Sequence, residues 1–313
     1  MYTLYKKIAV LALLAVSLSI HSQETITKKI EKTFKLTNTG ELHLDNKYGN
    51  VTINGWDKNE VTITIDIKVT NKKKDNAKEL IDRIKANIRT TSNFVSIKSE
   101  ISEKNSSFFS RYFNKVNPFE FDKGNVEINY TIYIPINAEI DITNKFGDVI
   151  IDNWIGKLKA NVEHGDLWIN DNVSNANIDM KFGKLKSKSI TYGTVNLKNG
   201  DIDIENSKDL LLNTSGTKIE IDSVTDLEIN SSKDEITIGS VGAINGELKF
   251  SNARIDIVEE KINLTMRVAE LRVSKITNPE AIVNINQESS EIHIGIRAFK
   301  FVSPFITLLF RNN

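Results

Sequence analysis

The chain has no cysteine, and that absence removes a long list of chemistries. It excludes a disulfide scaffold, a thiolate nucleophile, an iron–sulfur cluster, a cysteine zinc site and a lipid-bearing N-terminal cysteine. A surplus of either charge is also lacking, with 41 Lys and Arg against 41 Asp and Glu. Phosphate recognition needs a basic excess, so no nucleic-acid partner is expected. Histidine is scarce, and no two of His43, His164 and His293 lie within five residues of each other, which excludes a helical histidine pair. No Gly-x-Ser-x-Gly elbow, glycine-rich phosphate loop or calcium nonapeptide repeat is present. The sequence therefore assigns no catalytic residue, no cofactor and no metal. What it does hold, 40% hydrophobic and 26% charged residues over 313 positions, suffices for a sizeable soluble core.

Only one long apolar run stands out early in the chain. Lys6 and Lys7 precede Ile8–Leu18, and Ser17, Ser19 and Ser22 follow before Gln23. This is the layout of a secretory signal peptide over residues 1–22, too short for a good membrane span. Cleavage is expected before Gln23, with Ser19 as the competing site. The expected product is exported to the periplasm or cell surface, carries no transmembrane segment and has a net charge of about −2.

From residue 140 onward a short strand recurs. Its first apolar residues are Val149, Leu167, Leu185, Ile202, Ile219, Ile236, Ile255, Leu271 and Ile292, spaced by 18, 18, 17, 17, 17, 19, 16 and 21. A second set with the same alternation lies between them, as in Leu158-Lys-Ala-Asn-Val and Ala176-Asn-Ile-Asp-Met. Strands this short cannot bury an apolar face alone, so successive coils must stack. The expectation is an all-β chain, a β-solenoid of about nine coils of 17–18 residues. An antiparallel sandwich competes, but it does not require equal repeat lengths. Many of the 35 asparagines, among them Asn144, Asn153, Asn172, Asn199, Asn206, Asn230 and Asn252, are expected at coil corners.

The first half reads differently. Asn46-Lys-Tyr-Gly-Asn-Val-Thr-Ile is repeated almost letter for letter as Asn144-Lys-Phe-Gly-Asp-Val-Ile-Ile. The intervening chain opens with a helix signal, Ala77, Leu80, Ile81, Ile84 and Ile88, with Asp75 as its cap. Residues 23–136 are expected to form a helix-bearing β segment capping the solenoid, and 137–313 the repeat region. The apolar C-terminal stretch from Ala298 to Phe310 is expected to close the last coil.

These segments, with Tyr133-Ile-Pro-Ile-Asn-Ala, resemble the putative adhesin family. Its members are exported envelope β-solenoids of largely unknown function, frequent in Bacteroidetes. The resemblance implies the solenoid fold and an adhesive role, and it carries no catalytic residues. The residues themselves offer three candidate contact sets. Asp148 and Asp166 follow repeat glycines, with Lys184 next in the column and Asp201 after it. They read either as a carboxylate pair for Ca²⁺ or glycan chemistry, or as turn residues balanced by the lysine. Phe108, Phe109, Arg111, Tyr112 and Phe113 belong to an aromatic stretch at 108–121, either a binding loop or part of a cap. Trp168 falls at an outward strand position and could stack on a sugar. The expected partner is a glycan or an envelope protein. A periplasmic scaffold or stress-response component is the alternative, and a polysaccharide-active enzyme is less favoured.

Overall fold

In the computed structural model the described residues are 24–102 and 125–295. The expected signal segment, the 108–121 aromatic stretch with Phe108, Phe109, Arg111, Tyr112 and Phe113, and the C-terminal apolar stretch lie outside them. The first strands are β1 (Glu24–Lys35), β2 (Glu41–Lys47), β3 (Val51–Trp56) and β4 (Glu60–Asn71), followed by helix α1 (Lys74–Arg83). Then come β5 (Ile84–Thr91), β6 (Phe94–Ile101), β7 (Val126–Pro135), β8 (Glu139–Lys145), β9 (Val149–Asp152) and β10 (Lys157–Glu163). The long strands are β11 (Leu167–Lys181), β12 (Lys184–Lys198), β13 (Asp201–Ser215), β14 (Lys218–Ser232), β15 (Glu235–Lys249) and β16 (Asn252–Arg267). The chain closes with β17 (Glu270–Ile276), β18 (Ile282–Glu288) and β19 (Glu291–Ile294).

Each long strand is one coil with two limbs and a bend between them. The first limb of β11 lies in parallel register with β9, Leu167 opposite Val149, while its second limb pairs with β10, Ala176 opposite Leu158. The same register continues through β12 to β16, so the two alternating segments of every repeat form two continuous parallel ladders. Alternation sends Leu185, Ile202, Ile219 and Ile236 inward, at most 2% exposed, and their neighbours outward. Burial of each such side chain contributes about 1.5–3 kcal/mol. The result is a β-solenoid of about nine turns.

The register corrects one alignment made from sequence. Ile236 stands opposite Ala253, and Ile255 stands opposite Ile238. Ala253 in turn faces Leu271. The spacings read as 19 and 16 are therefore 17 and 18, and the coil length is steadier than the apolar residues suggest. Ala253 is buried at 4% exposed, but its small side chain marks the inward position less clearly than the larger Ile255 two places on.

The first repeat is part of the stack. β2 pairs with β8, Asn46 opposite Asn144, and β3 pairs with β9, Val51 opposite Val149. On their other sides β2 pairs with β6 and β3 with β7. The coil of residues 41–56 thus lies between that of β6 and β7 and that of β8 and β9, although the chain visits it first. Asn46 Nδ2 donates to Asn144 Oδ1 at 2.9 Å, and Asn144 Nδ2 donates to the Gly49 and Gly147 carbonyls. This buried amide ladder explains why the two copies match so closely. Tyr130, 1% exposed, lies 2.5 Å from Ser99 Oγ, and burial pushes its phenol up to about 12.

The helix is shorter than its periodicity predicts. It ends at Arg83, and Ile84 and Ile88 belong to β5. A separation of four satisfies both helical and strand periods, which is why the pattern ran on. Asp75 lies in the first turn; Lys73 is the N-cap and makes no side-chain capping bond. Asn230 is also displaced from expectation. It lies on the flat outer ladder, where its amide donates to Asn213, and Asn213 donates to Asn196.

The chain divides into two compact units. Among the described residues the smaller holds 24–28, 67–85, 101–102 and 125–127. It contains α1, whose Ala77, Leu80 and Ile81 are buried, and the Arg83 guanidinium donates to the Ser102 carbonyl. Lys68 pairs with Glu127 at 3.0 Å in the same unit. The larger unit holds 29–66, 86–100 and 128–295, and with them the repeats. No helix among the described residues is long and apolar enough to cross a membrane.

One corner of the larger unit is sharply constrained. Tyr48, Phe146, His164, Phe182, Asn199, Gly216, Lys233, Phe250, Val268 and Ser289, one per coil, all have left-handed backbone with φ between 49° and 70°. The next residue is Gly in the early coils. A Cβ on Gly165 would lie 1.9 Å from the Gly147 oxygen, and on Gly147 it would lie 2.1 Å from the Gly49 oxygen. After Gly200 the position is taken by Thr217, Asp234 and Ser251, all buried. Asp234 there accepts from Thr214 Oγ1 at 2.6 Å, Ser231 Oγ at 2.7 Å and the Thr217 N–H at 2.7 Å.

Two substitutions test this corner with opposite signs. Gly165→Ala forces a methyl into the Gly147 carbonyl and is expected to lower stability by roughly 3 kcal/mol, read as a reduced urea midpoint. Val268→Gly removes a β-branched residue from a φ of 49° and is expected to raise stability by about 1 kcal/mol in the same assay.

Candidate functional site

Asp148 and Asp166 lie beside this corner, and the coil geometry assigns each a hydrogen bond. Asn129 Oδ1 accepts the Asn50 N–H at 2.8 Å, and Asn50 Oδ1 accepts the Asp148 N–H at 2.9 Å. Asp148 Oδ1 accepts the Asp166 N–H at 2.9 Å, and Asp166 Oδ1 accepts the Lys184 N–H at 2.8 Å. Each side chain therefore clamps the backbone of the next coil. The Lys184 ammonium reaches Asp203 at 3.0 Å, two residues beyond the Asp201 position of the column. The arrangement serves stacking of the coils.

Against the same corner the left-handed residues of four coils stack their rings. Tyr48 and Phe146 are 5.6 Å apart and 10° from parallel, Phe146 and His164 5.1 Å and 2°, and His164 and Phe182 4.8 Å and 4°. These spacings follow the strand separation, since each ring is carried by successive coils. His164 is thus sandwiched between two phenyl faces. Along the sequence His164 is marked only by preceding a repeat glycine. The available signal was that each repeat glycine from Gly49 to Gly183 follows a ring.

Trp168 is on the outer face of the first-limb ladder, 38% exposed, with Ile150 on one side and Lys186 on the other. The Lys186 ammonium is 6.0 Å from the indole centroid. Two coils further back on the same ladder Trp56 packs its ring 5.3 Å from Tyr133, and Lys58 stands 4.5 Å above Trp56. Trp154, by contrast, is fully buried and donates from Nε1 to the Ala138 carbonyl. Tyr133 carried no sequence signal of its own, since nothing along the chain shows that it shares a face with Trp56.

Glu270, Glu291 and His293 bring ligand atoms within 4.8 Å of one another at the last coils and could hold a metal ion. The Arg272 guanidinium already bonds Glu270, and the other two side chains are exposed. His43 is bonded to Glu41 at 2.5 Å and packs edge-on against Phe94.

No family model matches the chain. No curated protein matches it either. Among solved structures it is similar to a putative adhesin from Bacteroides fragilis NCTC 9343, with 14% identity, a TM-score of 0.36, and coverage of 85% of this chain and 97% of that one. A putative lipid binding protein from Parabacteroides distasonis ATCC 8503 is similar at 12% identity and a TM-score of 0.34, covering 85% and 97%. A putative adhesin from Parabacteroides merdae ATCC 43184 gives 12% and 0.33, covering 85% and 96%. None of these bears on what this chain binds.

The electrostatics of the second-limb face centre on Glu163. Lys145 at 2.9 Å and Lys181 at 3.1 Å hold its carboxyl below the usual glutamate range, first through hydrogen bonds and then through charge. A lowered carboxyl stabilises the fold above the unfolded-state range, and the contribution is lost as pH falls through the folded value. Glu163→Gln is therefore expected to lower the urea midpoint at pH 7 by less than about 1 kcal/mol, because the group is partly solvated. As pH falls through the lowered carboxyl value of the folded state, the difference from the parent chain is expected to shrink.

Proposed function

We propose that this chain is a non-enzymatic, exported protein of the bacterial cell envelope, an adhesin that binds a glycan or another protein through the outer faces of its coils. The observation that carries the reading is the exposure of large rings on in-register backbone, Trp168 and Tyr133 on the first-limb face and Phe182 at the corner. Parallel register holds such groups at fixed intervals of about 4.8 Å, which gives preorganised contacts at little entropic cost. The role of Asp148 and Asp166 as clamps for the next coil's N–H groups supports a binding rather than a catalytic use of this surface. The signal-peptide layout of residues 1–22 supports export.

Protease treatment of intact cells tests location. Loss of the protein before lysis is the expected result. Protection until lysis would overturn a surface adhesin and favour the periplasmic scaffold or stress-response reading, with a protein partner.

A further inference from the structure

The first-limb face carries a pattern that points to one ligand class. The register orders its strands as β7, β3, β9, β11 and β12. Along that order Tyr133 stands opposite Asn54, Asn54 opposite Asp152, and Asn170 donates to Asp152 at 2.6 Å. A polar row of amide, carboxylate and amide thus runs along the stack. Tyr133, 42% exposed, lies at one end beside Trp56, and Trp168, two residues before Asn170 on β11, flanks the other. Among the described residues the Asn54 amide, the Tyr133 hydroxyl and the Trp168 Nε1–H make no hydrogen bond to protein. Trp56 is held in place by its Nε1–H bond to the Glu60 carbonyl at 2.8 Å. One lysine accompanies each ring platform, Lys58 at Trp56 and Lys186 at Trp168. Among the described residues neither lysine makes an ion pair.

We infer that this face is a binding platform for an acidic polysaccharide. The inference rests on the binding reading of the outer face given above. Rings separated by a hydrogen-bonding row match a chain of pyranose units, whose C–H faces stack on aromatics while their hydroxyls bond to amides and carboxylates. A protein hot spot would instead cluster its rings in one desolvated centre. Lys58 at one end and Lys186 at the other supply the complementary charge for sugar carboxylates, while the Asp152 carboxylate between them is left to accept from sugar hydroxyls. Three strand steps and a two-residue offset along the strand separate Tyr133 from Trp168, about 16 Å, so the occupant is an extended chain rather than a single sugar.

The test is electrophoresis of the purified chain through native gels containing polygalacturonate or alginate, with dextran and hydroxyethylcellulose gels as neutral controls. Retardation is expected in the acidic gels, reduced at least about fivefold in apparent affinity by Trp168→Ala and by Tyr133→Ala. Lys186→Ala is expected to weaken the retardation and to flatten its dependence on salt. All three side chains point outward, and unchanged circular dichroism and urea midpoints would confirm that the variants fold. The proposal is overturned by no retardation in the acidic gels, by equal retardation in the neutral gels, or by retardation that both ring variants retain. The assay reads binding by purified protein and cell fractionation reads location, so failure of the platform is distinguishable from failure of the surface reading.

Discussion

The repeats depend on one close approach, the glycine of each early coil resting against a backbone carbonyl oxygen of the adjacent coil, that of Ile128 for Gly49 and of the preceding glycine for the others. With 1.9–2.2 Å between those oxygens and any added Cβ, the position admits no side chain from Gly49 to Gly200. The residue before it must be left-handed for the chain to turn, and that turn brings the next limb back over the core. Coil length follows from this turn, which the later coils keep without the glycine. A coil that turned one residue early would present its polar side chains to the interior, because inward and outward positions alternate.

Once coils are equal in length, like residues fall on like residues. That is how four rings come to stack, each within 5.6 Å of the next, and how Asn196, Asn213 and Asn230 bond in series on the outer ladder. It also sets the interior's few polar groups. Asn46 and Asn144 satisfy glycine carbonyls in the first coils, whereas Asp234 gathers hydroxyl and backbone donors where the glycine column has ended. A buried carboxylate is tolerable only with such donors around it. The outer faces inherit the same regularity, and a binding surface built on them is rigid for the same reason the core is.

The fold was legible because its signals are local and repeated. Alternation gave the strands their inward sides, and the 17–18-residue interval gave the stack. Reading failed where a residue carried two meanings or too little weight. Ile84 and Ile88 fit a helix and a strand equally, and Ala253 was too small to mark a register that Ile255 marked falsely. The candidate site was less legible. Trp168 was recognisable as outward from its neighbours Leu167 and Ile169, but its association with a polar row and a second ring pair was not.

The sequence by itself determined the solenoid, the coil length and which side of each strand faces water, because these are properties of a periodic pattern. Tertiary structure alone decided that the coil of residues 41–56 is sandwiched between coils that come much later in the chain, and that Tyr133, Trp56 and Trp168 share one face. Both depend on which strand pairs with which across separations as large as 98 residues. Backbone pairing is the same chemistry for every residue, so the choice of partner is made by core packing and the corner glycines acting together.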